Sequence, residues 1–384
     1  MCQRGVETVR RGLETSRVAL EISRSVREKV QAARETRPRA LEVLRTGLET
    51  RRSGPAEFVS EFGIALSAAA LYAGGVNVIH AATDLKPAGR KVCVAIGVFD
   101  GVHLGHQQVI RQTLADAGQH EALAVVITFD KHPNAIVAPD RVPPRIYSLP
   151  QKLRAIASLG VDAIWLIRFD EPFSRQTGVE FVRGMARDFG RLHSICVGSD
   201  FTFGHKRSGN VGSLKSLGAE LSFAVHSIAA VSLDGQPVSS TRIRDAIRAG
   251  QFDSASQMLG RGYSLAGQVV KGGQLGRKLG FPTANVDARG LVLPPNGVYA
   301  VHVQTDGKLF RAVLNIGLRP TIAPDAASPQ VEAHLLDFCG DLYGQELEIT
   351  CVGRLRDEQK FPSMDALKEQ IARDIKQAGR LFEQ

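Results

Sequence analysis

Between Lys91 and Ser199 the chain alternates short apolar runs with helical stretches, and that alternation leaves few folds open. The runs are VCVAIGV (92–98), ALAVVITF (122–129), DAIWLIRF (162–169) and HSICVGS (193–199), each of strand length. Between them lie QQVIRQTLADAG, LPQKLRAIASLG and GVEFVRGMARDFG, which read as helices. Such repetition predicts a parallel sheet covered on both faces. Ligands of these sheets bind beyond the carboxyl ends of the strands. GVFDGVHLGH (97–106), TFDKHP (128–133) and VGSDFTFGHKRSGN (197–210) each follow a strand, so three polar loops are expected on one edge.

After Arg261 the pattern changes. LAGQVV, GVYAVHVQT, LFRAVLNIG, VEAHLLDF and LEITCVGRL read as strands separated by Gly and Asp turns, with no helices between them. Five or six such strands suggest a small antiparallel barrel. SMDALKEQIARDIKQAGRLF closes the chain as a packing helix. The fold class is therefore α/β plus β: a Rossmann-like parallel-sheet domain over 76–260 and a barrel domain with a C-terminal helix over 261–384.

His103 and His106 stand three apart at the turn from the first apolar run into its helix. First-turn N–H groups point outward there and favour bound anions, while Gly105 lets a ligand approach the backbone. Taken alone, the pair fits either a phosphate site or a well-capped loop. SSTRIRDAIRAG (239–250) begins with hydroxyls that can cap a helix and carries Arg242 and Arg244 in its first turn. It reads as an ordinary capped helix or as a phosphate clamp facing the histidines. KGGQLGRKLGFPTAN (271–285) is rich in glycine and basic residues but is not a Walker A loop, because GxxxxGK[ST] is missing. Thr283 and Asn285 offer short oxygen ligands of the kind that suit Mg²⁺ carrying nucleotide phosphates.

Charge and cysteine usage bound the remainder. The formal charge is +9, but residues 1–52 hold 13 Lys and Arg against seven Glu, so most of the excess lies in the N-terminal segment. A nucleic-acid footprint on the main body is not supported. Five scattered cysteines without a CxxC point to a reducing compartment, with neither disulfides nor a zinc site. The seven glutamates fall at a strict period of seven, from Glu7 to Glu49. A coiled coil is disfavoured by Arg27 and Arg34 in the seam and by Pro38. A short tandem DNA repeat read through as protein fits the regularity better. Residues 62–79 carry no charge but are dominated by Ala and Gly, which reads as an appendage or linker helix rather than a membrane span. Residues 1–75 are expected to lie outside the fold, either as a translated extension or because translation starts naturally near Val76. A mature N-terminus at Met1, read by mass spectrometry of the native protein, would overturn that later start.

GVFDGVHLGH, TFDKHP, VGSDFTFG and SSTRIR, in that order, resemble the adenylyltransferase half of the bacterial bifunctional riboflavin kinase/FMN adenylyltransferases. GFPTAN (280–285), NIGLRPT (315–321) and VEAHLLDF (331–338) resemble the riboflavin kinase half. The resemblance covers roughly residues 77–384 and implies a cytoplasmic enzyme with two sites. One would phosphorylate riboflavin with MgATP to FMN, and the other would transfer AMP from a second ATP to give FAD and pyrophosphate.

It implies that His103 and His106 stabilise the transferring phosphates, with Gly97, Phe99, Asp100, Gly105, Asp200 and Arg207 lining the same mouth. Ser240, Thr241 and Arg244 would grip phosphate from the other side. In the kinase half, Gly276 and Lys278 would meet ATP phosphates, Thr283 and Asn285 would hold Mg²⁺, and Glu332 would be the base. Asn134, Asn315 and Arg354 are the expected flavin contacts. Two positions depart from the family pattern: Lys131 stands where Pro is usual, and Thr202 where Arg is common. The first alters loop geometry and the second removes a charge. A kinase with impaired adenylyl transfer and a non-catalytic flavin-binding regulator are the alternatives. Small-molecule substrates are the expected partners, with no nucleic acid and no membrane; an oligomer is left open.

Overall fold

The computed structural model describes residues 75–273, 275–318 and 329–383. The heptad repeat, most of the Ala/Gly-rich run and Thr321 of NIGLRPT lie outside the described residues, as does the side chain of Lys278.

Six strands form the N-terminal sheet: β1 (Asn77–Ile79), β2 (Val92–Ile96), β3 (Leu123–Phe129), β4 (Ala163–Ile167), β5 (Leu192–Gly198) and β6 (Ala224–Ile228), in the order β1-β4-β3-β2-β5-β6. Every pairing is parallel. The four strands legible as apolar runs occupy the middle, and all five residues of β2 are buried. The edges differ from expectation. Asn77–Ile79, read as the tail of a linker, is an edge strand paired with Ala163–Trp165. Ala224–Ile228 forms the other edge; its mixed AVHSI sequence reflects one partner strand and partial exposure.

Four helices cover the sheet. α1 (Leu104–Gln119) and α2 (Leu149–Ala157) pack Val109, Ile110, Leu153 and Ile156 on one face. α3 (Gly178–Phe189) and α4 (Val211–Leu221) pack Phe181, Met185, Leu214 and Leu217 on the other. Each starts with a side-chain cap: His103, Ser148, Thr177 and Asn210 accept from N–H groups in the first turn. Two further helices, α5 (Ser240–Arg248) and α6 (Phe252–Leu259), bury Ile243, Ile247, Met258 and Leu259 against Ile146, Tyr147 and Val292. That cluster joins the sheet domain to the barrel domain.

The barrel is closed and antiparallel. Its strands are β7 (Ser264–Val270), β8 (Ala284–Val286), β9 (Gly297–Thr305), β10 (Lys308–Leu318), β11 (Pro329–Leu335) and β12 (Glu346–Arg356), in the order β7-β8-β11-β10-β9-β12. β12 returns to β7, which closes the ring. The sixth strand, β8, falls within the stretch read as a loop, so Asn285 sits on a strand. A short helix, α7 (Leu275–Leu279), precedes it. Tyr299, Val301, Leu314, Ile316, Leu347 and Ile349 fill the interior. α8 (Met364–Leu381) lays Ile375, Ala378 and Leu381 against Val298, Ala300 and Val313. It is pinned by an ion pair between half-buried Arg356 and buried Asp374, Nη2 to Oδ2 at 2.8 Å.

Candidate active sites

The loop between β2 and α1 is a sharply turned segment. Phe99, Gly101 and Val102 have φ of 52°, 78° and 42°. For Val, β-branched, the left-handed region is strained, and such strain persists only where surrounding contacts over-determine it. Gly97 makes the turn possible, because a Cβ there would lie 2.9 Å from the Phe99 ring. Phe99 is buried and meets the His106 ring edge-on, centroids 5.2 Å apart. Gly97 and Phe99, expected beside ATP, thus build the loop that aims the histidines.

His103 caps α1, its Nδ1 accepting from the His106 backbone N–H at 3.4 Å. An accepting Nδ1 leaves the proton of the neutral ring on Nε2, as a donor. The two imidazoles stack at 3.6 Å with 20° between planes, and a Cβ on Gly105 would stand 3.3 Å from the His103 ring. Burial, aided by the guanidiniums of Arg261 and Arg244, pushes His103 down to about 4. Burial, then His103, Lys152 and Arg261, holds His106 well below the usual imidazole range. Both rings are therefore neutral hydrogen-bonding groups at neutral pH. The buried Nδ1 of His106 has no protein partner among the described residues.

Asp100 is the structural hub. Its carboxylate accepts from Ile146 N–H (3.0 and 3.1 Å) and Tyr147 N–H (3.4 Å), and pairs with Arg244 Nη2 at 2.6 Å. Arg244 also donates from Nε to Pro144 O at 2.7 Å. Arg244, expected to grip phosphate, has a buried guanidinium whose Nη2 is paired with Asp100. Ser240 Oγ donates to the Asp100 carbonyl at 3.0 Å, Ser239 provides the helix cap, and Thr241 is exposed.

Lys152, on α2, carries no motif that would single it out. It is buried, and its Nζ donates to Phe129 O (2.7 Å), Thr128 Oγ1 (3.2 Å) and Val98 O (3.4 Å). It thereby ties the ends of β2 and β3 together. Burial pushes it down to about 8 against the pull of Asp100 and Asp130. Asp130, Lys131, His132 and Arg145 line a pocket with Asp100 and Lys152, so TFDKHP does converge on the histidine loop. Asn134 closes that segment, donating from Nδ2 to Arg141 O at 2.7 Å. The third loop behaves differently. Residues 201–210 fold back on the start of α3, where a Cβ on Gly178 would meet the Phe203 ring at 2.8 Å. Asp200 and Arg207 are exposed there and contact neither histidine among the described residues.

On the barrel, strand register assembles the second site. Asn285, Glu332 and Asn315 are directly opposite one another across β8, β11 and β10. All three are half-buried, whereas Ala333, the next residue along β11, faces the core. Gln330, two before Glu332, donates from Nε2 to Glu332 Oε1 (2.6 Å) and to Asn285 Oδ1 (3.3 Å). Thr283, Arg277, Val269, Leu335, Phe338 and Tyr343 line an adjoining cleft of about 540 Å³. Gly276 receives the Phe281 N–H at 2.8 Å and so folds the loop over Thr283. Arg354 lies elsewhere on the barrel. It donates to Asn296 O at 2.8 Å, pairs with Asp357, and covers the Tyr299 ring at 5.9 Å. No cluster of three or more His, Cys, Asp or Glu suited to a metal exists among the described residues. Thr283 and Asn285 are neutral oxygen donors, a set that fits a hard cation whose charge is met by phosphates and whose shell is completed by water.

Residues 85–242 match the FAD synthetase family, and residues 259–382 match the riboflavin kinase family. A bifunctional riboflavin kinase/FMN adenylyltransferase of Escherichia coli K12 is 39% identical over 310 residues, 80% of this chain and 98% of that protein. The protein of the same name from Pseudomonas fluorescens is 37% identical over 306 residues, again 80% and 98%. The crystal structure of a macrolide-efflux protein from Streptococcus pneumoniae has a TM-score of 0.66 and 30% identity, covering 78% of this chain and 97% of that one. Among the described residues no helix is long and apolar enough to cross a membrane, and the likeness taken from that structure is one of fold.

Proposed function

The chain belongs to the family of bifunctional riboflavin kinase/FMN adenylyltransferases, and from that premise we propose how its residues divide the work. The barrel domain, 261–384, phosphorylates riboflavin with ATP to FMN. The parallel-sheet domain, 76–260, joins FMN to the AMP of a second ATP and releases pyrophosphate.

In the transferase domain a phosphate oxygen of FMN attacks the α-phosphorus of ATP, and pyrophosphate leaves. The chain's task is to hold the reactants in line and stabilise charge on the phosphates. His103 and His106 do this as neutral donors, stacked so that one helix start serves both. Asp100 and Arg244 hold the loop; Ser240 fastens the start of α5 to it. Lys131, on the pocket wall with Arg145, adds positive charge where the family usually has proline.

In the kinase domain the ribityl 5′-hydroxyl attacks the γ-phosphate and ADP leaves. Glu332 takes the hydroxyl proton, oriented by Gln330. Thr283 and Asn285 would hold Mg²⁺, which supplies charge neutralisation to the phosphates when bound. Asn315, in register beside Glu332, is placed to meet the flavin side.

The observation that carries this reading is the stacked pair of imidazoles at the start of the helix after β2, with buried His103 as its cap and His106 half-buried against it. The test is a time course of purified protein with riboflavin, ATP and Mg²⁺, resolving the flavins by chromatography. FMN should rise and then fall as FAD accumulates. His106→Ala should lower FAD formation about 10²- to 10³-fold, the usual cost of losing one such donor, while FMN still forms. Glu332→Gln should abolish FMN formation yet convert supplied FMN to FAD. Loss of both activities from either change in a folded protein would sink the two-site assignment. FMN accumulating without FAD would favour a kinase with an impaired transferase.

A further inference from the structure

The FAD synthetase match ends at residue 242 and the riboflavin kinase match begins at 259. Arg261 therefore lies on the kinase side, just before β7. Its side chain nevertheless turns back to the transferase loop. Nη2 donates to Gly101 O at 2.6 Å, and Nη1 donates to Val102 O at 3.1 Å and Leu259 O at 3.2 Å. Nε donates to Tyr147 OH at 3.0 Å, with the guanidinium carbon 5.1 Å from the centre of the Tyr147 ring. Gly101 and Val102 are the positive-φ residues that deliver the chain to His103. Among the described residues no other side chain donates to the Gly101 carbonyl, whereas Val102 O also accepts from Gln107 Nε2 at 3.0 Å.

We infer that Arg261 is a positioning residue for adenylyl transfer, through which the kinase domain completes the other domain's active site. The inference rests on the assignment of His103 and His106 to that reaction. A planar fork of donors is needed to meet carbonyls at several angles at once, which a lysine ammonium at the end of a flexible stem does not reproduce. With the fork removed, the strained turn relaxes and the two imidazoles lose their common aim. Displacements of about 1 Å in such groups cost on the order of 10²-fold in rate. Arg261 touches neither Glu332 nor Asn285, so riboflavin phosphorylation has no reason to change.

The test uses the full chain and two variants, Arg261→Ala and Arg261→Lys. FAD formation from FMN and ATP should fall 10- to 100-fold in kcat for both, with KM for ATP changing less than fivefold. FMN formation from riboflavin should stay within twofold. Arg261→Lys keeps the charge and the stem, so it covers the case in which the alanine variant folds poorly. Wild-type kcat in Arg261→Lys, or equal loss of both activities in a folded variant, would overturn the inference. Ring-nitrogen NMR titration of His103 gives a readout independent of turnover. The cations facing His103 are Arg261 and Arg244, with His106 stacked on it. In Arg261→Ala its pKa should rise and its contacts with His106 should weaken. An unchanged titration and unchanged ring contacts would refute positioning, even if the wild-type chain made no FAD. If the wild type makes no FAD but the ring contacts do change, the reaction assignment fails and the positioning role stands.

Discussion

Replacing Asp100 by Asn probes the hub of the transferase domain with almost no change of shape. The carboxylate and the guanidinium of Arg244 are 11% and 8% exposed, at 2.6 Å. Asn keeps one oxygen to accept from Ile146 and Tyr147, but it sets an NH₂ against the Arg244 donor or else surrenders the backbone bonds. The first choice leaves Arg244 with Pro144 O as its remaining acceptor, and the second leaves the Ile146 and Tyr147 N–H groups facing a donor. In both, the buried guanidinium loses its counter-charge. Removing one partner of a buried ion pair costs about 3–5 kcal/mol. For a domain of this size each kcal/mol moves the thermal midpoint about 2–4 °C, so the fall should be about 6–20 °C. Trp165 is the only tryptophan in the chain and lies on β4, so its fluorescence follows unfolding of the parallel-sheet domain. Glu220→Gln provides the comparison: its pair with Arg183 is just as short, 2.7 Å, but 53% and 48% exposed. Exposed pairs contribute about 0–1 kcal/mol, so its midpoint should move by no more than a few degrees. If Asp100→Asn shifts the Trp165 transition no further than Glu220→Gln does, the assignment of Asp100 and Arg244 as the tie holding this loop is wrong.

Two further outcomes can be checked with the same protein. Both imidazoles bind fewer protons folded than unfolded, His103 with its pKa near 4 against an ordinary 6.5. Stability is then fully present above pH 6.5 and is lost as pH falls toward 4, by up to about 1.4 kcal/mol per pH unit for each ring. His103→Asn keeps a capping oxygen and removes one titrating ring, so the slope of the Trp165 midpoint against pH should flatten. Asn285→Ala should raise the Mg²⁺ concentration needed for half-maximal FMN formation while FAD formation from supplied FMN responds to Mg²⁺ as before; an unchanged Mg²⁺ curve for the kinase would remove Asn285 from the metal.

What the sequence alone determined is whatever depends on near neighbours. Buried parallel strands need continuous apolar runs, so β2 to β5 stood out, while the short edges β1 and β6, each with one partner, did not. His103 and His106 were legible because a strand end, a glycine and a helix start lie within ten residues. Asn285 stood out as a short oxygen donor in a glycine-rich, basic loop, whereas Glu332 on its strand stood out only through the resemblance of VEAHLLDF to the kinase family. Tertiary structure alone decided which groups these residues meet. Arg244 looked like a cation reaching for phosphate; packing set its guanidinium on Asp100, 144 residues away. Lys152 and Arg261 carried no local signal, because each acts on backbone carbonyls that only the folded sheet gathers around it. The row of Asn285, Glu332 and Asn315 exists only through the register of three strands. The neutrality of the two imidazoles is likewise a product of burial, since desolvation is a property of the surroundings and not of the residue.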